Sequence, residues 1–419
     1  MKIQVPYGKS TEVCEAPDWL HVTTKVPCYG AAVKSGELEL RQALDNLIGP
    51  VAVNKFQSAA TVAIAISDIT RPVPLKALLS QLLDKLNAWG VNDERIIGIV
   101  GGGLHRPATA EDLQVMLGEK LCRRIKVIAH DAVDDAQLLY IGQSPACTPI
   151  YVNRVFCQAD VRIVTGLIDP HQFMGFTAGV KGAVIGLGGK ETIEKNHEHL
   201  FHEEADLGLL EKNPVRQDLE QIGKQIGVDL IVNVVLNDKK QILKAVAGHA
   251  VDAHRAGVGF AREIFGVPAS EADIVVTSPG GFPKDINVYQ AQKALTPAGR
   301  MVKKGGTIIL VAECLEDLGE HRFEEELRKY TSPQEIMAEF PKQPFKIGAH
   351  KAYLWARTLA RAETVIVSRK LSQDREKLLM ARIMPTLQEA FDYTLTRRPD
   401  TKQVTVLPAG SSTIPIFTE

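Results

Sequence analysis

Short apolar runs alternate with longer amphipathic segments along this chain. Most of the short runs end in a glycine or a polar turn, and the apolar residues of the longer segments recur at helical spacing. Residues 74–89, for example, place six leucines on one helical face. The alternation is typical of an α/β protein with buried parallel strands. It predicts strands at residues 61–67, 95–100, 125–130, 161–165, 230–236, 274–277 and 307–312.

The length of 419 residues allows two or three domains. A boundary is expected within residues 257–270, where a helical stretch ends in Gly266-Val267-Pro268 and a new strand–loop–helix unit follows. We therefore predict one α/β domain over residues 1–262 and a second over 268–399. The tail from about 400 to 419 is expected to pack back on the first domain. Both sheets should be largely parallel, with an active-site cleft between the domains.

Charge and cysteine usage exclude several classes of protein. The 49 basic and 50 acidic side chains leave a net charge of −1, so there is no basic field for nucleic acid or anionic lipid. The six cysteines form no C-x-x-C pair, which argues against a structural zinc site or a disulfide framework. The N-terminal residues lack the apolar core of a signal peptide, and no apolar run is long enough to span a bilayer. We expect a cytoplasmic location.

Four polar loops follow predicted strands, where open parallel sheets bind their ligands. The first runs from Ser67 through Asp68, Ile69, Thr70 and Arg71 to Pro72. Its backbone N–H groups, hydroxyl and guanidinium suit a phosphate or a carboxylate. Alternatively, Asp68 caps the following helix and pairs with Arg71.

The second and third loops carry histidines among glycines. Gly101-Gly102-Gly103 allow close approach of the backbone to a ligand, and His105 follows at a strand end, where a proton carrier is useful. The third loop contains His171 and Lys181. Its glycines match neither the phosphate-loop nor the dinucleotide-binding pattern. Val184 stands where the phosphate loop has its first glycine, and Glu191 stands where that loop has Ser or Thr and where the dinucleotide pattern has its third glycine. An ordinary kinase or nicotinamide dehydrogenase is not supported.

A histidine cluster and a polar helix start complete the set. His197, His199 and His202 are either a solvated helix face or metal ligands, since neutral imidazole suits nickel, copper, iron and zinc. In the fourth loop, Gln290 and Lys293 lie three apart on one helix face and could bind a carboxylate and a hydroxyl.

Four motifs in order resemble the nickel-pincer lactate racemase family. They are D-x-T-R-P at Asp68–Pro72, G-G-G-x-H at 101–105, P-H-x-F-x-G-F at 170–176 with a later lysine and an N-H pair, and P-G-G-x-P-x-D-x-N-x-Y-Q-x-x-K at 279–293. The chain departs from the lactate enzymes at Ala178-Gly179-Val180-Lys181, where they have G-G-R-K. Which 2-hydroxy acid the chain would act on stays open.

The resemblance implies a cofactor and a role for each motif. The cofactor is a nickel-pincer nucleotide, Ni(II)-pyridinium-3,5-bisthiocarboxylic acid mononucleotide, linked to Lys181 through a thioamide and made by separate biosynthetic enzymes. His197 would supply the nickel ligand, and His105 and His171 would be the paired acid/base groups. The loop carrying Asp68, Ile69, Thr70 and Arg71 would hold the cofactor phosphate. Substrate would be bound by the residues Arg71, Tyr289, Gln290 and Lys293.

The implied reaction inverts the C2 centre of a 2-hydroxy acid. One histidine takes the hydroxyl proton while hydride leaves C2, and hydride and a proton then return on the other face. The first domain would bind the cofactor and the second the substrate. Two alternatives remain: a zinc- or iron-dependent hydrolase or lyase using His197, His199 and His202, and a non-catalytic protein that binds the cofactor or a hydroxy acid.

Overall fold

Two six-stranded sheets organise the chain, one in each of two units. The computed structural model describes residues 1–417. The central unit comprises Tyr29–Ile264, and the terminal unit combines Met1–Cys28 with the chain from Phe265 onward. The division between Ile264 and Phe265 lies inside the interval where the sequence places a boundary.

The sheet of the central unit is parallel except at one edge. Its strands lie in the order Ile242–Gly248, Leu230–Leu236, Val161–Leu167, Val62–Ser67, Ile96–Gly101 and Lys126–Ala129, and only the first pair is antiparallel. The strand at 230–236 is buried along its whole length, as expected where helices cover both faces of a parallel sheet. Two short hairpins accompany the sheet, Leu138–Gln143 with Pro149–Asn153 and Pro170–His171 with Gly175–Phe176.

The helices of the central unit precede, connect and follow the strands of its sheet. They are Gly36–Asp45, Val53–Ser58, Leu75–Ala88, Ala110–Arg124, Arg154–Gln158, Lys190–Glu198, Pro214–Ile226 and Asp252–Phe265, the last reaching the unit boundary. Short helical turns lie at Asp93–Arg95, Asp135–Gln137, Gly182–Gly186 and His199–Phe201.

The predicted leucine-rich helix is confirmed. The helix Leu75–Ala88 buries the six leucines at positions 75, 78, 79, 82, 83 and 86. They join a core that includes the sheet residues Val62, Ile64 and Val232. Truncating one fully buried leucine of this kind to alanine costs about 2–5 kcal/mol. The spacing of these leucines is therefore sufficient to dictate which face of the helix covers the sheet.

The sheet of the terminal unit is parallel throughout. Its strands lie in the order Arg382–Met384, Glu363–Val367, Val302–Val311, Ala272–Thr277, Gln403–Leu407 and His21–Thr24. A hairpin of Lys2–Tyr7 and Ser10–Glu15 and a parallel pair of Gly266–Pro268 and Ile414–Ile416 complete its strands. Its helices are Val288–Ala291, Leu295–Met301, His321–Leu327, Pro333–Glu339, His350–Leu359, Glu376–Leu379 and Leu387–Arg397, with short turns at Gln292–Ala294, Phe340–Lys342, Gln373–Arg375 and Gly410–Ser412.

The predicted domain limits of 1–262 and 268–399 need two corrections. Residues 1–28 belong to the terminal unit, because the hairpin packs Ile3, Val5 and Tyr7 into a core with strand residues 274, 276 and 309. The described part of the tail belongs to the terminal unit. Its strand Gln403–Leu407 is an inner strand of the terminal sheet. Both corrections involve strand partners that are hundreds of residues apart, and local sequence pattern contains no information about such pairing. Positions 418–419 lie outside the described residues.

Candidate active site

His105 and Asp68 form a hydrogen-bonded pair at the ends of two neighbouring strands. Val62–Ser67 and Ile96–Gly101 are parallel, and Ser67 is in register with Gly101, so the loops that follow them start side by side. His105 Nδ1 lies 2.7 Å from Asp68 Oδ2. A Cβ at position 102 would lie 2.7 Å from the same oxygen, so glycine there leaves room for the carboxylate.

The electrostatics of this pair favour an ionised Asp68. Burial alone would raise the pKa of Asp68, but hydrogen bonds from His105 and Thr70 and the nearby charge of Arg71 outweigh it, and the pKa lies below its usual value. A carboxylate can only accept a hydrogen bond, so His105 must donate through Nδ1. In the neutral ring the lone pair is then on Nε2. This is the arrangement of a histidine base oriented by a carboxylate.

The other residues of this loop surround the carboxylate only in part. Thr70 Oγ1 donates to Asp68 Oδ1 at 2.8 Å, and the Arg71 N–H donates to the Asp68 carbonyl at 3.1 Å. The side chains of Ile69, Thr70 and Arg71 are exposed. The alternative in which Asp68 caps the helix is wrong, since the N-cap of Leu75–Ala88 is Pro74 and has no side-chain hydrogen bond.

His171 and His197 are linked through one phenylalanine. The Phe173 ring lies edge-on to both imidazoles, with centroid distances of 4.7 Å to His171 and 5.4 Å to His197. Phe173 is buried, and its carbonyl accepts a 2.9 Å hydrogen bond from Asn213 Nδ2. Phe173 belongs to the motif at 170–176, for which no role of the phenylalanine was predicted, and its place two residues after His171 is the sequence signal for this contact.

The hydrogen bonds of these two histidines set their neutral tautomers. The Met174 N–H donates to His171 Nδ1 at 3.3 Å, so a neutral His171 has its proton on Nε2. His197 is 7% exposed, and its Nδ1 donates to the Ile193 carbonyl at 2.8 Å, which leaves the lone pair on Nε2. A backbone carbonyl that holds one ring nitrogen in this way is the usual support of a metal-binding histidine.

The three histidines at 197, 199 and 202 do not converge. The helix ends at Glu198, a short turn covers His199–Phe201, and His202 is exposed, with its Nδ1 accepting the Glu204 N–H at 3.1 Å. Within residues 1–417, no group of three or more histidine, cysteine or acidic side chains is placed to hold a metal ion. The three-histidine ligand set proposed as an alternative is therefore wrong. His197 binds the Ile193 carbonyl, His199 lies 3.7 Å from Asp218, and His202 accepts the Glu204 N–H, so each imidazole faces a different partner.

The glycines of the second loop serve packing within the protein. A Cβ on Gly101 would lie 2.3 Å from the Gly186 carbonyl oxygen, and the Gly103 N–H donates to that same oxygen at 3.1 Å. Gly101 and Gly103 thus lie directly against the backbone of Gly186. The expectation that Gly101 gives a ligand access to the backbone is corrected: its missing side chain is required by a neighbouring loop.

Lys181 follows a sharply turned backbone. Ala178 and Gly179 both have left-handed conformations, with φ of 64° and 62°. The Lys181 N–H donates to the Ala178 carbonyl at 3.3 Å, and a short helical turn at Gly182–Gly186 begins at the next residue. The lysine side chain is half-buried.

The predicted substrate residues Tyr289, Gln290 and Lys293 lie together in the terminal unit. Asn287 caps their helix by accepting the Gln290 N–H at 3.0 Å, and Lys293 Nζ donates to Gln290 Oε1 at 2.6 Å. The predicted pairing of residues 290 and 293 on one face is confirmed. Burial raises the pKa of Tyr289 to about 12, so its hydroxyl stays protonated at neutral pH.

Sequence reasoning also missed Arg216, which is 1% exposed. It lies in the helix Pro214–Ile226, three residues before the buried Leu219. A charged residue on the apolar face of an amphipathic helix was the signal that could have identified it. Its guanidinium donates to backbone carbonyls just before Lys181.

No helix in the described part of the chain is both long and apolar enough to cross a membrane. Comparison with known proteins then assigns the family. The lactate racemase N-terminal domain model matches residues 7–208, and the lactate racemase C-terminal domain model matches residues 267–415.

Relatives match over nearly the whole chain. A lactate racemase of Lactiplantibacillus plantarum is 31% identical, with 98% of this chain and 99% of that protein covered. One of Thermoanaerobacterium thermosaccharolyticum is 30% identical, with 98% of each covered. The solved structure of the latter organism's lactate racemase apoprotein superposes with a TM-score of 0.91 at 29% identity, and both chains are fully covered. A Thermotoga maritima protein shares the fold, with a TM-score of 0.65 at 16% identity over 91% of this chain and 97% of that one. The chain therefore belongs to the lactate racemase family and is an isomerase of the racemase type.

Proposed function

We propose that this enzyme inverts the C2 centre of a 2-hydroxy acid, as a racemase or an epimerase, by proton-coupled hydride transfer. The observation that carries the proposal is the Asp68–His105 pair, in which the carboxylate keeps the ring proton on Nδ1 and leaves Nε2 as the base. The Met174 N–H donates to His171 Nδ1, so His171 has its proton on Nε2. We assign the acid to His171 in its protonated form. Inversion requires such a base and acid.

The residues present fit the nickel-pincer nucleotide implied by the family. The tautomer of His197 puts a lone pair on Nε2, and neutral imidazole is a suitable nickel ligand. Lys181 would supply the amine that links the cofactor. Asp68, Ile69, Thr70 and Arg71 would hold its phosphate, with the exposed guanidinium of Arg71 and backbone N–H groups as donors. When bound, the nucleotide supplies an electron-poor ring that accepts hydride and returns it.

The protein's own groups handle the protons. His105 Nε2 takes the substrate hydroxyl proton, and the ionised Asp68 stabilises the imidazolium that forms. The oxidised substrate is a planar 2-keto acid. His171, as an imidazolium, then donates its Nε2 proton to that oxygen as hydride returns to the opposite face, which gives the other stereoisomer. His105 ends as an imidazolium and His171 as a neutral ring, the state that suits the reverse reaction.

Substrate binding requires positive and hydrogen-bonding groups. We assign the substrate carboxylate to Lys293, because a cation offsets its charge in both the hydroxy and the keto form. Arg71 stays a predicted substrate residue. Gln290 holds the Lys293 ammonium at 2.6 Å and can donate its amide N–H groups to the substrate. Tyr289, protonated at neutral pH, would donate its hydroxyl hydrogen.

A chiral assay tests the proposal. The protein is co-produced with cofactor-making enzymes, its intact mass and nickel content are measured, and single enantiomers of a panel of 2-hydroxy acids are supplied. We expect a mass increase that Lys181→Ala abolishes, nickel that His197→Ala loses, and interconversion of at least one acid. His105→Ala and His171→Ala should each abolish turnover while nickel stays bound. Full activity in either variant would refute the two-base mechanism, and a nickel-loaded protein inert on every acid would refute the function.

A further inference from the structure

Four consecutive residues before Lys181 have a backbone group bound by a buried side chain. Arg216 Nη2 donates to the Phe176 carbonyl, and His254 Nε2 donates to the Thr177 carbonyl at 2.8 Å. Arg216 Nη1 donates to the Ala178 carbonyl at 3.4 Å. The Gly179 N–H in turn donates to Asn233 Oδ1 at 3.0 Å. We call residues 176–179 the anchored segment.

The three anchoring side chains come from separate elements of the central unit and are all buried. Arg216 lies in the helix Pro214–Ile226, Asn233 in the strand Leu230–Leu236 and His254 in the helix Asp252–Phe265. Their exposed fractions are 1%, 0% and 1%. The anchored segment is thus held from the sheet and from two helices, and it cannot shift without breaking buried hydrogen bonds.

Arg216 is an expensive residue to bury. Among the described residues, its hydrogen-bond partners are carbonyl oxygens, and Glu220 acts on it only as a nearby charge. Burial lowers the pKa of Arg216 to about 10, so the guanidinium stays charged at neutral pH. Burying a charge without a bound carboxylate is costly. The hydrogen bonds of Arg216 to the anchored segment offset part of that cost.

His254 contributes as a neutral donor. Burial, reinforced by the charge of Arg216, lowers its pKa to about 3. The ring is therefore uncharged, and its proton is on Nε2, facing the Thr177 carbonyl. The imidazole is tightly packed, since a Cβ on Gly179 would lie 3.0 Å from it.

The anchors hold a strained conformation that leads directly into Lys181. Ala178 has a φ of 64°, which is unfavourable for a residue with a Cβ and persists only where the surroundings impose it. The Ala178 carbonyl accepts both from Arg216 Nη1 and from the Lys181 N–H. One oxygen atom therefore connects the buried arginine to the backbone of the lysine.

We propose that Arg216, His254 and Asn233 are positioning residues that set the backbone of Lys181 for cofactor attachment. The proposal rests on the proposed function, in which Lys181 carries the cofactor. It adds that the attachment site is preorganised from within the core. The side chains act through the anchored segment and have no contact with the reacting atoms in this scheme.

The test compares Asn233→Ala and Arg216→Lys with a matched control, Leu219→Val. Leu219 is fully buried in the same helix as Arg216, so the control loosens the core while leaving the four hydrogen bonds in place. Three quantities are measured: amide exchange at Gly179, the rate at which an acetylating reagent labels Lys181 in cofactor-free protein, and the fraction of Lys181 adduct after co-production with the cofactor-making enzymes.

We expect Gly179 exchange to rise at least tenfold in Asn233→Ala, and the Lys181 labelling rate and adduct fraction to change severalfold in both anchor variants relative to Leu219→Val. Should Arg216→Lys fail to fold, Asn233→Ala decides, because it removes a single hydrogen bond. Wild-type labelling and adduct levels in folded Asn233→Ala would overturn the proposal. Absence of any adduct in the wild-type protein would refute the proposed function instead, and the labelling and exchange rates would still decide whether the anchors position Lys181.

Discussion

His105 Nδ1 lies 2.7 Å from Asp68 Oδ2, although 37 positions separate the two residues in the chain. Parallel pairing of the strands before them creates this contact, because Ser67 and Gly101 are in register at the same sheet edge. The bond gives the imidazole a fixed tautomer and places an ionised carboxylate behind it. The remaining nitrogen is thereby prepared to accept a proton.

Asp68→Asn tests that preparation. The amide carries no charge to stabilise the imidazolium, and it can offer its N–H₂ group to the ring in place of an acceptor. We expect the turnover number of the loaded enzyme to fall by about 10- to 100-fold, less than for a fully buried triad, because His105 is half-exposed. Chiral chromatography measures the rate. The turnover number of Ile69→Ala, a change at the exposed neighbouring residue, should fall much less. Equal losses of turnover in the two variants would show that the loop conformation matters and the charge of Asp68 does not.

Gly101→Ala tests whether that glycine serves loop packing. The added Cβ would meet the Gly186 carbonyl at 2.3 Å, and overpacking of this kind costs about 1–3 kcal/mol in free energy of unfolding. Gly259→Ala is the control, since Gly259 lies in a helix with open space around its Cβ position. That substitution should stabilise the protein by about 0.5–1 kcal/mol. Urea unfolding followed by circular dichroism measures both, and an unchanged midpoint for Gly101→Ala would contradict the packing role.

Gln290 and Lys293 should act as one unit. Their side chains share a 2.6 Å hydrogen bond, so removing either leaves the other without its orientation. In a double-mutant cycle, Gln290→Ala and Lys293→Ala should each lower kcat/KM, and the double variant should lose less than the sum by about 0.5–3 kcal/mol. Strictly additive losses would mean that the two side chains contribute independently.

Asp112 gives a pH-dependent contribution to stability. Its hydrogen bonds from Arg106 and the Thr109 N–H lower its pKa to about 2. The carboxylate has a lower pKa in the folded state than in the unfolded state, where the value is about 4, and it therefore stabilises the folded protein when ionised. This contribution to the free energy of unfolding is fully present above the unfolded pKa and is lost as the pH falls through the folded pKa. The difference in free energy of unfolding between wild type and Asp112→Asn should therefore be constant above about pH 5 and shrink between about pH 4 and 2. Urea titrations across this range measure it, and a difference that stays constant down to about pH 2 would contradict this contribution.

The amino-acid pattern alone predicted part of the local architecture. Seven of the twelve strands in the two six-stranded sheets were predicted, with ends shifted by up to five residues, and the leucine spacing of Leu75–Ala88 determined its buried face. Short-range rules also paired Gln290 with Lys293, because a helix brings residues three apart together. These features depend on neighbours within one or two turns of the chain, which the sequence specifies directly.

Tertiary structure decided the rest. The first 28 residues belong with the C-terminal strands, because strand pairing and a shared core bring them together across hundreds of positions. Different tertiary partners hold the three histidines, which form no metal-ligand group within the described residues. Asp68 binds His105 instead of capping a helix, and Arg216 reaches the anchored segment from a helix that follows it in the chain. In each case the outcome depends on contacts between segments that are far apart in the chain. Buried polar groups bind whichever partners the folded core brings next to them, and packing decides which those are.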